Sequence, residues 1–356
     1  MADYPVGFGL LGAGLVAPFH AQALTNSPKT RLVGVADMNL ERATKLAGEF
    51  GAPAYGSLEE MLANPEVQCV NVLTPNAFHY DAVVAAAQAG RHVLVEKPPA
   101  MSLRETDSMI ATCQEHGVKL GIVLQCRLRK PIQAMKQALA AGRFGRVLMC
   151  SAHMKWFRSA DYYQSEAWRS SRKSGAGVTI QHAFHYLDLC QYLMGPAQRV
   201  QARMENLAHP EVQLEDTLLA YVDWSNGALG VAEASTALWP GADIRIELNG
   251  ENGTAIMVGE RMDTWKFREE LPEDEEVRTY GSAAVGTAAT GPADFAYFDH
   301  RLVIEDMAGA IVENREPCIP ATSVRPTLEM ALAMYQSARD GQPVDLPLAS
   351  EEHIFD

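Results

Sequence analysis

The fold is decided by the stretch Val6-Gly-Phe-Gly-Leu-Leu-Gly-Ala-Gly-Leu-Val-Ala17. Its first six residues form an apolar run that predicts a short buried strand, and a helix is expected to extend from the glycine-rich turn to about Asn26. A strand, a glycine turn and a helix in this order are typical of a dinucleotide-binding domain. The alternative is that the glycines serve only as a structural turn.

The glycine turn has the residue types that a pyrophosphate site needs. Gly12 permits the tight turn out of the strand, Gly14 leaves room for the backbone to approach the phosphates, and the small Ala17 lets the helix pack on the strand. The helix amino terminus offers free N–H groups and the positive end of its dipole. The predicted cofactor contacts in this turn are Gly12, Gly14, Leu15 and Val16.

Strands alternate with helices through the rest of the first third of the chain. Further strands are predicted at Arg31–Ala36, Cys69–Leu73, His92–Val95 and Lys119–Leu124, with helices at Leu40–Phe50, Leu58–Leu62 and Ala77–Ala89. Ser102 followed by Glu105 predicts a capping box at the start of one more helix. This alternation indicates an α/β fold with a doubly wound parallel sheet, whose ligands bind beyond the carboxyl ends of the strands.

An acidic residue, Asp37, ends the second predicted strand, 23 positions after Gly14. A carboxylate at this place is suited to hydrogen-bond a ribose diol, and its charge repels a 2′-phosphate. The sequence therefore favours NAD over NADP as the cofactor. The alternative is that Asp37 is the N-cap of the helix that begins near Leu40.

After about residue 125 the pattern changes to strands joined by short turns. Asn-Gly pairs at residues 226–227 and 249–250 predict hairpins. We therefore expect a cofactor-binding domain over residues 1–125 and a substrate-binding α+β domain with an open, mostly antiparallel sheet over residues 126–356. The predicted strands are Arg143–His153, Leu218–Trp224, Gly227–Thr236, Asp243–Gly250 and Thr254–Val258.

Helices near Val178–Met194 and Arg301–Glu313 are expected to cover one face of this second sheet, and Pro326–Asp340 predicts a terminal helix. Because apolar sheet is rarely left in water, the other face predicts a homo-oligomer, a dimer or a tetramer. The acidic stretch Met262–Pro292 predicts a solvated, mobile loop.

Composition limits the class of protein. The chain has 356 residues, of which 47% are hydrophobic and 21% charged, as expected for a globular protein of two domains. A net charge of −14 argues against a nucleic-acid partner. The six cysteines form no Cys-x-x-Cys pair, so no metal site is expected, and free thiols favour a reducing, cytoplasmic location. No signal peptide and no apolar run of about 20 residues is visible, so no membrane partner is expected.

Four local motifs stand out together. They are the glycine turn with His20 after it, Thr74-Pro-Asn76 with His79, Glu96-Lys97-Pro98, and the run Gly175-Ala-Gly-Val-Thr-Ile-Gln-His-Ala-Phe-His-Tyr-Leu-Asp188. With them the chain resembles the Gfo/Idh/MocA family, which includes glucose–fructose oxidoreductase and inositol dehydrogenase, over nearly its whole length. The resemblance implies a Rossmann domain followed by an α/β domain with an open sheet. It also implies NAD-dependent oxidation of a secondary alcohol on a sugar, nucleotide sugar or cyclitol, or the reverse reduction.

The resemblance also assigns residue roles. Lys97 and His185 stand at the catalytic positions of the family, and Gln181 replaces the aspartate that many members have four residues before the histidine. A proton relay through position 181 is thereby lost, although the amide is still able to hydrogen-bond a substrate hydroxyl. The implied cofactor contacts, besides the glycine turn and Asp37, are Thr74, Pro75, Asn76, His79, Glu96 and Lys97.

The chemistry of alcohol oxidation fits these roles. A hydride leaves a carbinol carbon as the hydroxyl proton leaves, and histidine is the residue type best suited to take that proton near neutral pH. We predict that His185 is the general acid/base and that Lys97 holds the reacting oxygen. Asp188 either orients His185 or forms a structural salt bridge. The alternatives are that His185 is a structural helix residue and Lys97 a surface lysine.

Aromatic and basic residues are dense between positions 155 and 172, which suits sugar rings with attached acids or phosphates. Gln125 and Arg127 follow the last strand of the first domain and are expected to border the same cleft. The predicted substrate contacts are Gln125, Arg127, Arg158, Tyr163, Trp168, Arg169 and His300. The alternative for the aromatic residues is a place in the core.

Two other functions stay open. One is an enzyme that keeps NAD tightly bound and uses transient oxidation of a sugar to cleave a glycosidic bond. The other is a non-catalytic NAD-binding sensor, which the replacement at Gln181 leaves possible.

Overall fold

A computed structural model of the chain describes residues 3–175, 177–281, 289, 296–351 and 355. Two compact units are formed. The first comprises residues 1–125 and 296–325, and the second comprises residues 126–295 and 326–356.

The first unit contains six parallel strands in the order β3-β2-β1-β4-β5-β6. This confirms the doubly wound parallel sheet. The strands are β1 Val6–Leu11, β2 Thr30–Ala36, β3 Ala54–Tyr55, β4 Cys69–Val72, β5 His92–Glu96 and β6 Leu120–Val123. The short β3 was not predicted. The helices are α1 Ala17–Thr25, α2 Leu40–Phe50, α3 Leu58–Leu62, α4 His79–Gln88 and α5 Leu103–Glu115, with one 3₁₀ turn at Asn76–Phe78.

The predicted capping box at the start of α5 is present in a modified form. The hydroxyl of Ser102 accepts a hydrogen bond from the N–H of Glu105 at 3.1 Å. The carboxylate of Glu105 reaches back to the N–H of Met101 at 3.2 Å, one residue before the expected partner. The bond to Ser102 satisfies an N–H group that the helix itself leaves without an acceptor, and the bond to Met101 ties the preceding backbone to the first turn.

A later helix, α11 (Phe298–Val312), packs in the first unit against α1 and the sheet. The chain after it continues there, since the N–H of Ile122 in β6 donates to the carbonyl of Ile319 at 2.9 Å. The prediction that residues 301–313 cover the second sheet was therefore wrong. Apolar periodicity shows that a helix face is buried, but it does not show which sheet buries it.

The second unit contains eight strands in the order β13-β12-β11-β7-β10-β9-β8-β14. Among the strands of the described residues only the β7–β10 pair is parallel, and both predicted hairpins, β9–β10 and β11–β12, are antiparallel. The strands are β7 Val147–Lys155, β8 Ala197–Glu205, β9 Thr217–Trp224, β10 Leu229–Ser235, β11 Arg245–Gly250, β12 Gly253–Val258, β13 Arg261–Phe267 and β14 Val344–Asp345. The mostly antiparallel sheet is thus confirmed, and β8, β13 and β14 are additional to the prediction.

The helices of the second unit also differ from the prediction in two places. The single helix expected at Val178–Met194 is broken at His182 into α8 (Val178–Gln181) and α9 (Phe184–Met194). The stretch expected to be a mobile loop holds β13 and the short α10 (Asp274–Val277), where the buried Asp274 binds Arg143; its positions 282–288 and 290–292 lie outside the described residues. The other helices are α6 Lys130–Ala140, α7 Ala160–Gln164 and α12 Ala321–Asp340, with 3₁₀ turns at Gln125–Leu128, Ala167–Ser170 and Arg172–Ser174.

The second sheet has one covered and one open face. Helices α8 and α9 contact strands β7, β9, β10 and β11 on one side. On the other side β9 exposes Leu219 and Tyr221, which alternate with buried residues of the same strand. Met149 and Leu229, on the neighbouring strands, are also exposed. Within the described ranges, no helix combines the length and apolar character needed to cross a bilayer.

Candidate functional site

The glycine turn at the end of β1 has the geometry of an anion cradle. Gly12 has a φ of 105°, and a Cβ at this position would lie 2.8 Å from the carbonyl oxygen of Leu73, so only glycine fits. The N–H groups of Gly14, Leu15 and Val16 meet no acceptor among the described residues, and no side chain caps α1. Three free donors at the start of a nine-residue helix fit the pyrophosphate of a dinucleotide.

Asp37 connects this turn to the end of β2. Its Oδ2 accepts from the N–H of Ala13 and its Oδ1 from the N–H of Asn39, both at 2.8 Å. The N-cap of α2 is Asn39, whose side chain accepts from the N–H groups of Glu41 and Arg42. The alternative reading of Asp37 as the helix cap was therefore wrong, and its carboxylate stays at the turn, where a ribose is expected.

Glu96 lies in a buried polar cluster behind the end of β5. Its Oε1 is 3.0 Å from Nε2 of His20, and its Oε2 accepts from the N–H of Lys97 at 3.2 Å. The ring of His20 also lies 4.9 Å from that of His300, on α11. Burial alone would raise the pKa of Glu96, but the hydrogen bond from His20 and the nearby charges of His20, His300 and Lys97 lower it to about 2. Glu96 therefore fixes the backbone that leads into Lys97.

This cluster changes the interpretation of His300, predicted to contact substrate, and of Glu96, predicted to contact the cofactor. His300 was expected to contact substrate with the aromatic segment of the second domain, but it lies in the first unit and is only 3% exposed. The side chain of Glu96 is 13% exposed. His20, Glu96 and His300 have ligand atoms close enough to hold a metal ion, yet the hydrogen bond between His20 and Glu96 already accounts for two of the three.

His79 was predicted to contact the cofactor, but in the structure it has a structural role. Its ring is fully buried, with Nδ1 2.8 Å from the carbonyl of Pro98 and Nε2 2.9 Å from the carbonyl of Thr74. Burial lowers the pKa of His79, and the two carbonyl contacts oppose this only in part. The ring joins the segment after β4 to the segment after β5, so it holds Thr74 and the backbone next to Lys97 in place.

The remaining cofactor candidates of the first unit follow the carboxyl ends of β4 and β5. Thr74 and Lys97 are half-buried, and Asn76 is buried at the start of its 3₁₀ turn, directly after Pro75. The carboxyl ends of parallel strands share one edge of the sheet, so these residues and the glycine turn lie along the same edge.

The second unit contains Gln181 and His185 on the broken helix α8–α9. Of the residues 178–190, these two are partly exposed and all the others are buried. A buried helix segment that exposes one amide and one imidazole is suited to present both to a ligand.

Glu215 anchors the start of α8, and sequence reasoning missed it. Its Oε1 accepts from the N–H of Thr179 at 2.9 Å and from the hydroxyl of Tyr335 at 2.8 Å, while its own carbonyl accepts from the N–H of Val178. Burial raises the pKa of Glu215 in spite of these hydrogen bonds. A Cβ on Gly177 would overlap this carboxylate, so the glycine-rich run before α8 was the available signal.

Asp188 forms a structural ion pair. Its two oxygens accept from Nε and Nη2 of Arg127 at 2.6 and 2.5 Å, and Oδ1 also accepts from the hydroxyl of Thr327 at 2.9 Å. Asp188 is fully buried and Arg127 is 3% exposed. The salt-bridge alternative for Asp188 is thus the observed one, and the placement of Arg127 on the border of a cleft was wrong.

The other predicted substrate residues differ in how accessible they are. Tyr163 is 1% exposed and shares a hydrogen bond of 2.8 Å with the hydroxyl of Thr236, while Arg158 is buried and donates to the carbonyl of Phe157. Both are therefore core residues, which the alternative for the aromatic residues allowed for Tyr163, while the prediction that Arg158 contacts substrate was wrong. Of the other candidates, Gln125, in the first unit, and Trp168 are half-buried, whereas Arg169 is buried against the ring of Trp168.

Comparison with known proteins matches both units to models of one family. The model described as oxidoreductase family, NAD-binding Rossmann fold, matches residues 6–123. The model described as GFO/IDH/MocA C-terminal domain matches residues 132–256.

Individual relatives match between about three quarters of this chain and nearly all of it. The WlbA dehydrogenase from Bordetella pertussis, solved in complex with NADH and UDP-GlcNAcA, is 31% identical, with 98% of this chain and 99% of that chain covered and a TM-score of 0.89. The scyllo-inositol 2-dehydrogenase (NAD(+)) of Bacillus subtilis is 26% identical, covering 97% of each chain. The 2,7-anhydro-N-acetylneuraminate hydratase of Mediterraneibacter gnavus is 28% identical, covering 77% of this chain and 76% of its own.

Proposed function

Because the chain belongs to the Gfo/Idh/MocA family of NAD-binding oxidoreductases, we propose that it is an NAD-dependent dehydrogenase of a sugar, nucleotide sugar or cyclitol. The observation that carries this proposal is the shared sheet edge of the first unit. There the free N–H groups of the glycine turn, the carboxylate of Asp37 and the side chain of Lys97 follow the ends of β1, β2 and β5.

In the proposed reaction each catalytic residue has a separate role. When bound, NAD supplies the acceptor for the hydride that leaves the carbinol carbon. His185 takes the hydroxyl proton, and Lys97 hydrogen-bonds the same oxygen and stabilises the negative charge that develops on it. Gln181, partly exposed on the same segment as His185, hydrogen-bonds a neighbouring hydroxyl of the substrate. The reverse reduction uses the same groups with the proton moving from His185 to the oxygen.

A nucleotide-linked sugar acid is the first substrate to test. The similarity to the WlbA dehydrogenase, whose complex contains NADH and UDP-GlcNAcA, supports this choice over a free cyclitol. The inositol dehydrogenase relative makes scyllo-inositol the natural comparison substrate.

The test is NADH absorbance with NAD and each of UDP-GlcNAcA, scyllo-inositol and glucose. We expect turnover with at least one of them. His185→Asn should lower kcat about 10²- to 10⁴-fold and Lys97→Met about 10²- to 10³-fold. The exposed residues His116 and Lys45 provide the matched controls His116→Asn and Lys45→Met, which should leave kcat unchanged. Full activity in the Lys97 or His185 variant would disprove the assignment.

A second candidate function is supported by the similarity to the hydratase of Mediterraneibacter gnavus. In this second function the chain keeps NAD tightly bound and uses transient oxidation of a sugar to cleave a glycosidic bond, so product forms without net NADH. Copurified NAD together with product and no NADH would favour this function. NAD binding without turnover of any substrate would favour the non-catalytic sensor.

The open face of the second sheet supports self-association as a dimer or a tetramer. Its exposed apolar side chains, Met149, Leu219, Tyr221 and Leu229, lie on three neighbouring strands. Light scattering should show an oligomer for the wild type, and Tyr221→Arg should shift it towards the monomer. The six free cysteines further support a cytoplasmic location.

A further inference from the structure

Arg169 is a buried cation whose charge meets no acceptor among the residues that the structure describes. The side chain belongs to a residue only 8% exposed, and its buried Nε has no hydrogen-bond partner. Its contacts are with two aromatic rings. The guanidinium carbon lies 4.5 Å from the ring centre of Tyr162 and 4.8 Å from that of Trp168.

Another deeply buried guanidinium of this unit, that of Arg127, shows what Arg169 lacks. Arg127 is equally inaccessible and forms two charge-assisted hydrogen bonds with the carboxylate of Asp188. A buried charge without a counter-ion is costly, and contacts with aromatic rings recover only part of the lost hydration. The forked donors of Arg169 are therefore available for an anion that is not part of the described chain.

The position of Arg169 connects it to the proposed catalytic segment. The hydroxyl of Tyr162 lies 3.3 Å from Nε2 of His182, and their two rings are 5.8 Å apart. His182 directly follows Gln181 and precedes His185 by three residues. One aromatic side chain thus separates the guanidinium of Arg169 from the segment that presents Gln181 and His185.

We propose that Arg169, between Tyr162 and Trp168, is the subsite for an anionic group of the substrate, a carboxylate or a phosphate. Tyr162 and Trp168 are both half-buried, so the two residues against the guanidinium are partly accessible. The inference rests on the proposed function and narrows it to sugars that bear a negative charge, such as uronic acids and nucleotide sugars. Neutral sugars and cyclitols lack the group that Arg169 binds.

The experiment measures binding by calorimetry to the full-length protein with NADH present. The ligands are UDP-glucuronic acid, UDP-glucose, glucuronic acid and scyllo-inositol. Arg169→Gln should raise the Kd of those ligands that bear the recognised anionic group about 10- to 100-fold and leave any binding of scyllo-inositol unchanged. Arg172→Gln is the matched control, because Arg172 lies in the same segment but is exposed, and it should change each Kd less than about threefold.

The ligand set separates the two sources of the anion. If the carboxylate is bound, glucuronic acid and UDP-glucuronic acid lose affinity in Arg169→Gln and UDP-glucose does not. If a phosphate is bound, both UDP-sugars lose affinity by the same factor and glucuronic acid does not. Either pattern supports the subsite.

Three results would overturn the subsite. They are unchanged Kd values for the anionic ligands in Arg169→Gln, an equal loss for the neutral ligand, and no binding of any anionic ligand to the wild type. Should Arg169→Gln fail to fold, Arg169→Met keeps an apolar stem against the two rings and removes the charge, and wild-type affinity for the anions in that variant would equally refute the proposal. Because binding needs no turnover, absence of NADH formation would disprove the proposed function without deciding the role of Arg169.

Discussion

The carboxylate of Glu215 occupies the space that a Cβ at position 177 would fill. Gly177 precedes α8, and the same carboxylate accepts from the N–H of Thr179 in the first turn of that helix. The start of the segment that presents Gln181 and His185 is therefore set by a contact that only glycine permits.

Gly177→Ala should displace either Glu215 or the start of α8. We expect a loss of about 1–3 kcal/mol in the free energy of unfolding, because the added methyl group overpacks a buried site. We also expect kcat to fall, because a shift of α8 also displaces His185, which lies on the helix that follows it. Urea unfolding and NADH formation measure the two effects.

The matched control for this substitution is Gly48→Ala. Gly48 is exposed within α2, and nothing lies within 4 Å of its ideal Cβ. Alanine there should raise stability by about 0.5–1 kcal/mol. If Gly177→Ala behaves like Gly48→Ala, the contact with Glu215 does not hold the helix start.

The parts of the fold that could be predicted from the sequence are those set by local patterns. Helices Leu40–Phe50 and Leu58–Leu62 begin and end where they were predicted, because Asn39 and Ser57 cap them and their apolar residues repeat with the helical period. Strand Val6–Leu11 was equally clear, since an apolar run ends at a glycine turn.

The parts that could not be predicted depend on partners distant in the chain. Strand β8 has Arg199, Arg203 and Glu205 on its exposed side, so its sequence lacks an obvious apolar run. Arg127 and Asp188 are 61 positions apart, and nothing near either residue indicates that they pair. Sequence patterns identified residue types suited to a site, but burial and partners decided which of them are structural.

Asp37 is expected to decide the choice of cofactor. Asp37→Ala should lower kcat/KM for NAD about 10- to 100-fold, because charge-assisted hydrogen bonds to the ribose and the bond to Ala13 are lost. The preference of the wild type for NAD over NADP should largely disappear, because the repulsion of the 2′-phosphate is removed. Steady-state kinetics with both cofactors measure this.

Asp81→Ala is the control for the cofactor experiment, since Asp81 is exposed in the first turn of α4. It should leave both kcat/KM values near those of the wild type. Equal use of NAD and NADP by the wild type would refute the role given to Asp37.

Glu96 should make stability depend on pH in the acidic range. Burial would raise its pKa, but the hydrogen bond from His20 and nearby positive charges lower it to about 2 in the folded protein, below the 4.5 of an ordinary glutamate. The ionised carboxylate thus stabilises the fold above pH 4.5, and this contribution is lost as the pH falls towards 2. Its size is on the order of 3 kcal/mol.

Urea unfolding of the wild type and Glu96→Gln at several pH values tests this. The stability difference between them should be largest near neutral pH and should shrink steadily below pH 4.5. Glu66→Gln is the control, since Glu66 forms an exposed pair with Arg31 and should contribute less than about 1 kcal/mol. A difference that stays constant with pH would contradict the ionised state of Glu96.

The ion pair between Arg127 and Asp188 is expected to matter for stability and not for substrate recognition. Arg127→Met leaves a buried carboxylate without its counter-ion, so the free energy of unfolding should fall by about 3–5 kcal/mol. The exposed pair of Arg203 and Glu205 gives the control Arg203→Met, with a loss below about 1 kcal/mol. Replacing both partners with Arg127→Met and Asp188→Leu should recover part of the loss, because no charge is then buried alone. Unchanged stability together with a raised KM in Arg127→Met would contradict the structural role of the ion pair. It would support the original prediction that Arg127 contacts substrate.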